Sequence, residues 1–162
     1  MTLDPATLVA RSRRVDHDLD LLALAGGDGL LLERSRTGVA GRGVALQIAV
    51  SEADRALAAI EVDDEVDVPG SGAVAFGALP FRRDPTAPLI VPEVVWGRAE
   101  DGTRWVTTIR PRRYDGTMDV ASLCAAPPPP AGAPPGRVTV GPVRSADWWC
   151  ELVASATKAM RE

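Results

Sequence analysis

Gly72-Ala-Val-Ala-Phe-Gly-Ala-Leu-Pro-Phe81, a charged turn Arg82-Arg83-Asp84-Pro85, and Ala87-Pro-Leu-Ile-Val-Pro92 form the stretch whose reading decides the fold. Two apolar runs joined by a charged, proline-containing turn read as two strands of one sheet. Val74 to Phe81 carries no charge, so this strand is expected to be buried on both faces, at the centre of a sizeable sheet.

Outward from that pair, the pattern alternates between strands and short helices. Upstream, Thr7 to Val15 predicts an amphipathic strand near an edge. Asp16 to Asp20 opens a short helix through Ala25, because carboxylates favour helix N-termini. Gly26-Gly27-Asp28-Gly29 closes that helix as a turn. Leu30 to Arg34 predicts a buried strand, Ser35-Arg36-Thr37 a hairpin connection, and Gly38 to Val50 a longer strand. Ser51 with Asp54 fits a capping box, and Ala53, Leu57 and Ile60 fall on one face of a helix. Glu61 to Asp67 reads as a solvated acidic connector.

Downstream, Val94 to Arg98 continues or bends the second central strand. Asp101-Gly102 marks a turn into a partner strand over Thr103 to Ile109. Arg110 to Gly136 contains Pro127 to Pro130 and Pro134-Pro135, which reads as an exposed loop with partial polyproline II character, richest in proline over about 124–136. Arg137 to Val143 predicts a short strand. Ser145 caps a last helix in which Trp149, Leu152, Val153, Ala156 and Met160 form an apolar stripe. No stop residue follows, so this helix either frays at Glu162 or belongs to a longer natural chain. The expectation is one α+β domain over 1–162, a largely antiparallel sheet with flanking helices.

The chemistry in the sequence is sparse. With 162 residues, a formal net charge of −4 and a pI near 5.1, nothing favours nucleic acid or an anionic membrane as partner. No apolar run is long enough to span a bilayer, and no export signal opens the chain, so a cytoplasmic location is expected. Cys124 and Cys150 lie outside metal or redox spacings and are expected as free thiols. His17 is the only histidine, which rules out a multi-histidine metal site, and its place among aspartates in a polar stretch reads as a surface residue.

The glycines at 26–29 lack the phosphate-loop pattern, and those at 38–43 suit close strand packing better than a ligand loop. Glu61, Asp63, Asp64, Glu65 and Asp67 have neither the spacing nor the glycine of an EF-hand. Arg82-Arg83 and Arg110 to Arg113 lack interleaved aromatics. Trp148-Trp149 is either a partner-binding patch or part of a core. Composition and spacing thus supply no catalytic, cofactor-binding or metal residue.

Taken as a set, the segments resemble the N-terminal portion of a chorismate-utilising enzyme of the isochorismate synthase type, a family that includes component I of anthranilate synthase. Leu30-Leu31-Leu32-Glu33-Arg34 and Gly41-Arg42-Gly43-Val44-Ala45 resemble its early strand pair. Ala75 to Phe81 resembles its phenylalanine–glycine–proline–phenylalanine strand, and Leu89-Ile90-Val91-Pro92 the strand that follows. Ser145 to Met160 resembles the helix leading into the catalytic half. Order and rough spacing agree over nearly the whole chain.

The resemblance implies a four-layer α/β/β/α sandwich of which this segment is less than half. It also implies, for a full-length enzyme, Mg²⁺-dependent movement of the chorismate hydroxyl from C4 to C2, an isomerase reaction serving menaquinone or siderophore biosynthesis. The family's water-activating lysine, general-acid glutamate and Mg²⁺-binding glutamates lie beyond this last helix, and none has a counterpart here. Lys158 lies inside the helix and is not that lysine. The segment is therefore expected to be a truncated, catalytically silent scaffold with no cofactor of its own. Its partners would be the catalytic C-terminal half and, through the full-length enzyme, chorismate.

In amino-acid-regulated relatives a serine at the end of the matching strand lines an inhibitor pocket. Arg34 stands there, which argues against such a pocket and makes Glu33 a strand-end charge. Salicylate and anthranilate synthase segments remain open within the family. Outside it, a stand-alone binding module using the proline loop or Trp148-Trp149 is the alternative. The isolated family segment should leave sheet edges and an apolar face uncovered, which favours self-association or instability.

Overall fold

The computed structural model describes residues 4–81, 84–114, 119–125 and 139–161. The chain divides into two compact units, residues 1–130 and 131–162.

In the first unit, β1 (Leu8–Arg14), β2 (Leu30–Arg34), β3 (Thr37–Arg42), β5 (Glu61–Asp64), β7 (Val94–Arg98) and β8 (Arg104–Pro111) form a six-stranded sheet in the order β2-β3-β7-β8-β1-β5. Neighbours run antiparallel except β1 and β5, which are parallel. A separate antiparallel pair joins β4 (Leu46–Ala49) to β6 (Pro88–Val91). The helices of this unit are α1 (Leu21–Ala25), α2 (Ala53–Ala59) and α3 (Val120–Cys124). The fold is α+β with a mostly antiparallel sheet.

Two clusters cover opposite faces of the sheet. On one face Leu8, Ala10 and Ile109 pack beneath Leu46, Ile48 and Val91 of the small pair and Ala56 of α2. On the other, Ala40, Val94, Trp96 and Val106 pack beneath Leu21, Leu24 and Ala25 of α1, with Leu123 of α3 alongside. The Trp96 indole N–H donates to the Leu123 carbonyl at 3.0 Å, so α3 is held by a hydrogen bond as well as by contact. The period-2 alternation of β7 and β8 makes this double burial possible, since alternate residues serve opposite faces.

The stretch from Gly72 to Pro92 does not supply two central strands. Phe76 makes one isolated bridge to Ile90, with both backbone hydrogen bonds at 2.8 Å. Beyond it Gly77 to Phe81 is exposed, Phe81 fully so. Pro80 cannot donate to a ladder, Gly72 takes a φ of 75°, and the alanines and glycines give little β-branched surface to pack. Instead Ala73 and Ala75 lie as a strap against the core. The centre of the sheet is β7 and β8. Arg82-Arg83 lies outside the described residues.

Other boundaries move for identifiable reasons. β1 lies next to the edge strand β5, near an edge as its pattern predicts. Its arginines face Asp63 of β5, Arg13 at 2.8 Å and Arg11 at 3.8 Å, while Ser12 on the opposite face is buried against the Thr107 hydroxyl at 2.9 Å. The Glu61-to-Asp64 half of the acidic connector is therefore a strand, its charges answering those of β1. β2 is an edge strand, and apart from half-buried Leu30 its residues are exposed rather than buried.

The expected long strand from Gly38 breaks at Gly43, φ 71°, into β3 and β4 of different sheets. The capping box at Ser51 is not formed. The Val50 and Ser51 amides bond to Ala87 and Pro85 carbonyls, and α2 starts one residue later than a Ser51 cap implies, without a side-chain cap. Of the acidic run Asp16 to Asp20, only Asp20 caps α1, its carboxylate accepting from the Ala23 amide at 3.0 Å, and the helix runs to Ala25 as expected.

In the second unit, α4 (Ala146–Ala159) begins at Ser145, whose hydroxyl accepts from the Trp148 amide at 3.2 Å. Thr139 to Val143 carries no strand, and the proline-rich residues 126–136 lie outside the described residues.

Gly97 sets how closely the sheet can be covered. A Cβ there would sit 2.0 Å from the Trp105 ring, so only glycine lets that indole lie flat against β7. Gly97→Ala is expected to destabilise the first unit by about 2–3 kcal/mol, since overpacking at a buried aromatic forces backbone movement. Urea unfolding followed by circular dichroism measures the change.

Candidate functional site

The sheet face opposite α1 is covered by β4, β6 and α2 at one end and left open at the other. Leu32, Val39, Gly97 and Trp105 stand side by side across β2, β3, β7 and β8, so their side chains share this open face. Trp105, 1% exposed, forms the floor. Val68, Pro69 and Gly70 of the strap form the opposite wall, and the groove between them has a volume of about 720 Å³. Its lining is predominantly apolar, with Arg34 and Asp101 at the rim.

The strap is held by one carboxylate. Asp64, at the end of β5, accepts from the Val66 amide at 2.9 Å, the Asp67 amide at 3.3 Å and the Ser71 hydroxyl. The Ser71 hydroxyl, whose one proton goes to Asp64, accepts from the Val68 amide at 3.1 Å. The Ser12 hydroxyl, fully buried, accepts from the Gly72 amide at 2.9 Å, which fastens the far end of the turn to β1. The Trp105 indole N–H completes the set by donating to the Gly70 carbonyl at 3.2 Å. Partial burial pushes the Asp64 carboxyl up, but hydrogen bonds from Ser71, Val66, Asp67 and Ser12 outweigh it and hold the group below the usual carboxylate range.

On the other face, the hairpin at the groove mouth is fixed by Arg98. Ser35 and Arg36 both take positive φ, 51° and 65°, forming a two-residue turn without glycine or asparagine. Each left-handed residue costs roughly 1 kcal/mol. The Arg98 guanidinium offsets this by donating to the Arg36 and Leu19 carbonyls and pairing with Glu33 at 2.8 Å and Asp18 at 3.4 Å. Glu33 is thus a strand-end charge with a partner. Arg34 makes no ion pair among the described residues.

The remaining candidates are dispersed. His17 is exposed in the β1–α1 loop, and the glycines at 26–29 form a turn after a helix of five residues. A Cβ on Gly41 would lie 2.7 Å from the Pro92 ring, which is the close packing expected there. The acidic run separates into Asp63 and Glu65 on Arg13, Asp64 on the strap, and Glu61 on Arg112. The Arg13 hydrogen bond holds the Asp63 carboxyl below its usual range. No group of metal-ligating side chains converges among the described residues.

Arg113 stacks on Tyr114 at 5.7 Å. Both cysteines are free, and burial pushes the Cys124 thiol up. Lys158 lies in the last turn of α4, and Trp148 and Trp149 are exposed. Sequence reasoning missed the groove because its parts come from four strands and a connector. The usable signal was Gly97 eight residues before Trp105 across an Asp-Gly turn, which sets a glycine opposite a tryptophan in a hairpin.

Because the Asp64 carboxyl is depressed in the folded state, its stabilising effect is present above the unfolded value of about 4 and is lost as pH falls below it. Asp64→Asn is expected to destabilise by about 1–2 kcal/mol at pH 7 and to flatten the acid limb of the stability curve, read by urea unfolding at stepped pH. No family model matches the chain, and no curated protein or solved structure matches it either.

Proposed function

We propose that residues 1–162 are the N-terminal scaffold segment of a chorismate-utilising enzyme of the isochorismate synthase type, cytoplasmic and catalytically silent by itself. The observation that carries this reading is the ordered set of segments from Leu30-Leu31-Leu32-Glu33-Arg34 to Ser145–Met160 that resembles the family's N-terminal portion. The first of these segments lies in an antiparallel hairpin, β2 with β3, and the fold is of the α+β class the family requires.

The described residues do not fit a Mg²⁺ site. Asp63 and Glu65 pair with Arg13, Asp64 takes backbone amides, and no three His, Cys, Asp or Glu side chains converge among the described residues. Mg²⁺, chorismate and the water-activating lysine are accordingly assigned to the catalytic half, and no step of the isomerisation is placed on this segment. Salicylate and anthranilate chemistry stay within the same reading, because the residues that separate them belong to that half.

A second reading, a stand-alone binding module, draws on the groove over Trp105. It is concave and apolar, with polar groups at its rim, the form that ligand sites usually take.

The test is turnover of chorismate with Mg²⁺, coupled to an isochorismate-consuming enzyme. Residues 1–162 are compared with the same chain extended through the in-frame coding sequence that follows Glu162. Turnover by the extended chain only is the expected result. Turnover by residues 1–162 alone overturns the silent role, and turnover by neither puts the binding module in its place.

A further inference from the structure

We infer that the groove over Trp105 is a binding site for an aliphatic monocarboxylate, its alkyl chain along Leu32, Val39, Val68 and Pro69 and its carboxylate on Arg34.

Strand register puts the cation there. Residues directly opposite in an antiparallel ladder share a face, and so do residues two apart along a strand. Arg34, paired with Thr37, therefore lies on the same face as Leu32, paired with Val39. Arg34 lines the groove, and its guanidinium has no ion pair or hydrogen bond among the described residues. Arg98, the other arginine at the groove, is turned to the opposite face by its bonds to the Leu19 carbonyl and Glu33. An uncommitted guanidinium beside an apolar wall suits a carboxylate, which it can meet through two parallel N–H donors.

The rest of the lining selects the remainder of the ligand. Glu100 and Asp101, in the turn between β7 and β8, stand across β3 from Arg34, and Asp101 accepts from the Thr103 amide at 2.8 Å. They repel a second anionic group, so the ligand carries one negative charge, at the Arg34 end. Trp105 is 1% exposed, with Gly97 against its ring, and presents no open face on which an aromatic ring could stack. The accessible apolar surface is aliphatic, led by Leu32. From β2 to β8 the groove crosses three inter-strand spacings, about 14 Å, which suits an extended medium-length chain. The inference rests on the second reading's view of the groove as a ligand site, and not on the chorismate reading.

Isothermal titration of decanoate and of neutral decanol into residues 1–162, at two temperatures, tests it. Saturable one-to-one binding of decanoate is expected, with decanol at least about tenfold weaker for want of the charge-assisted bonds. Arg34→Gln should weaken decanoate about tenfold and leave decanol unchanged. Leu32→Glu, at an exposed position, should weaken both with the circular dichroism melt unaltered. Decanol bound as tightly as decanoate, or decanoate indifferent to Arg34→Gln, would overturn the carboxylate assignment and leave the groove as a ligand site. No saturable heat from either compound at both temperatures, or binding indifferent to Leu32→Glu, would overturn the groove reading as well.

Discussion

Trp105 lying flat on Gly97 is the contact on which the rest of the first unit depends. The indole occupies the space a Cβ at position 97 would need and spans toward Val39, while its N–H reaches the Gly70 carbonyl. One side chain therefore joins the two central strands to the strap beyond β5. Truncating a buried tryptophan costs about 3–5 kcal/mol, a large fraction of a domain's total stability. The groove borders the same contact, with Trp105, Val68, Pro69 and Gly70 among its lining. Asp64 and Ser12 then fix the strap from beneath with hydrogen bonds rather than apolar contact.

Charge has a structural role across the sheet. β1 carries three arginines within seven residues and still lies inside the sheet, because β5 brings Asp63 alongside it. Arg98 supports a turn whose residues are poorly suited to it. Exposed pairs of this kind contribute about 1 kcal/mol or less each, so their value lies in register and partner choice more than in stability. This accounts for the scattering of the carboxylates. Asp63, Asp64 and Glu33 each answer a local need of the fold, and no three metal-ligating side chains gather among the described residues.

Local signals in the sequence were readable where a short-range mechanism acts. Asp20 before α1, Ser145 before α4 and Asp101-Gly102 between β7 and β8 all behave as their chemistry dictates. Reading failed where long-range contacts decide. The uncharged run from Val74 to Phe81 looked like a buried strand, yet its glycines and Pro80 suit a strap. The acidic run from Glu61 looked solvated because its arginine partners lie about 50 residues away. Leu30-Leu31-Leu32 looked buried because hydrophobicity does not say which strand ends a sheet. The groove was invisible for the same reason, being made by register across four strands.

The functional account assigns this segment the architecture and leaves the chemistry of chorismate to residues outside it. Isothermal titration of chorismate with Mg²⁺ into purified residues 1–162 tests that division most directly. The account predicts no saturable heat, in line with the absence of any converging group of metal-ligating side chains among the described residues. A saturable one-to-one heat would contradict it and would place a chorismate site within these strands.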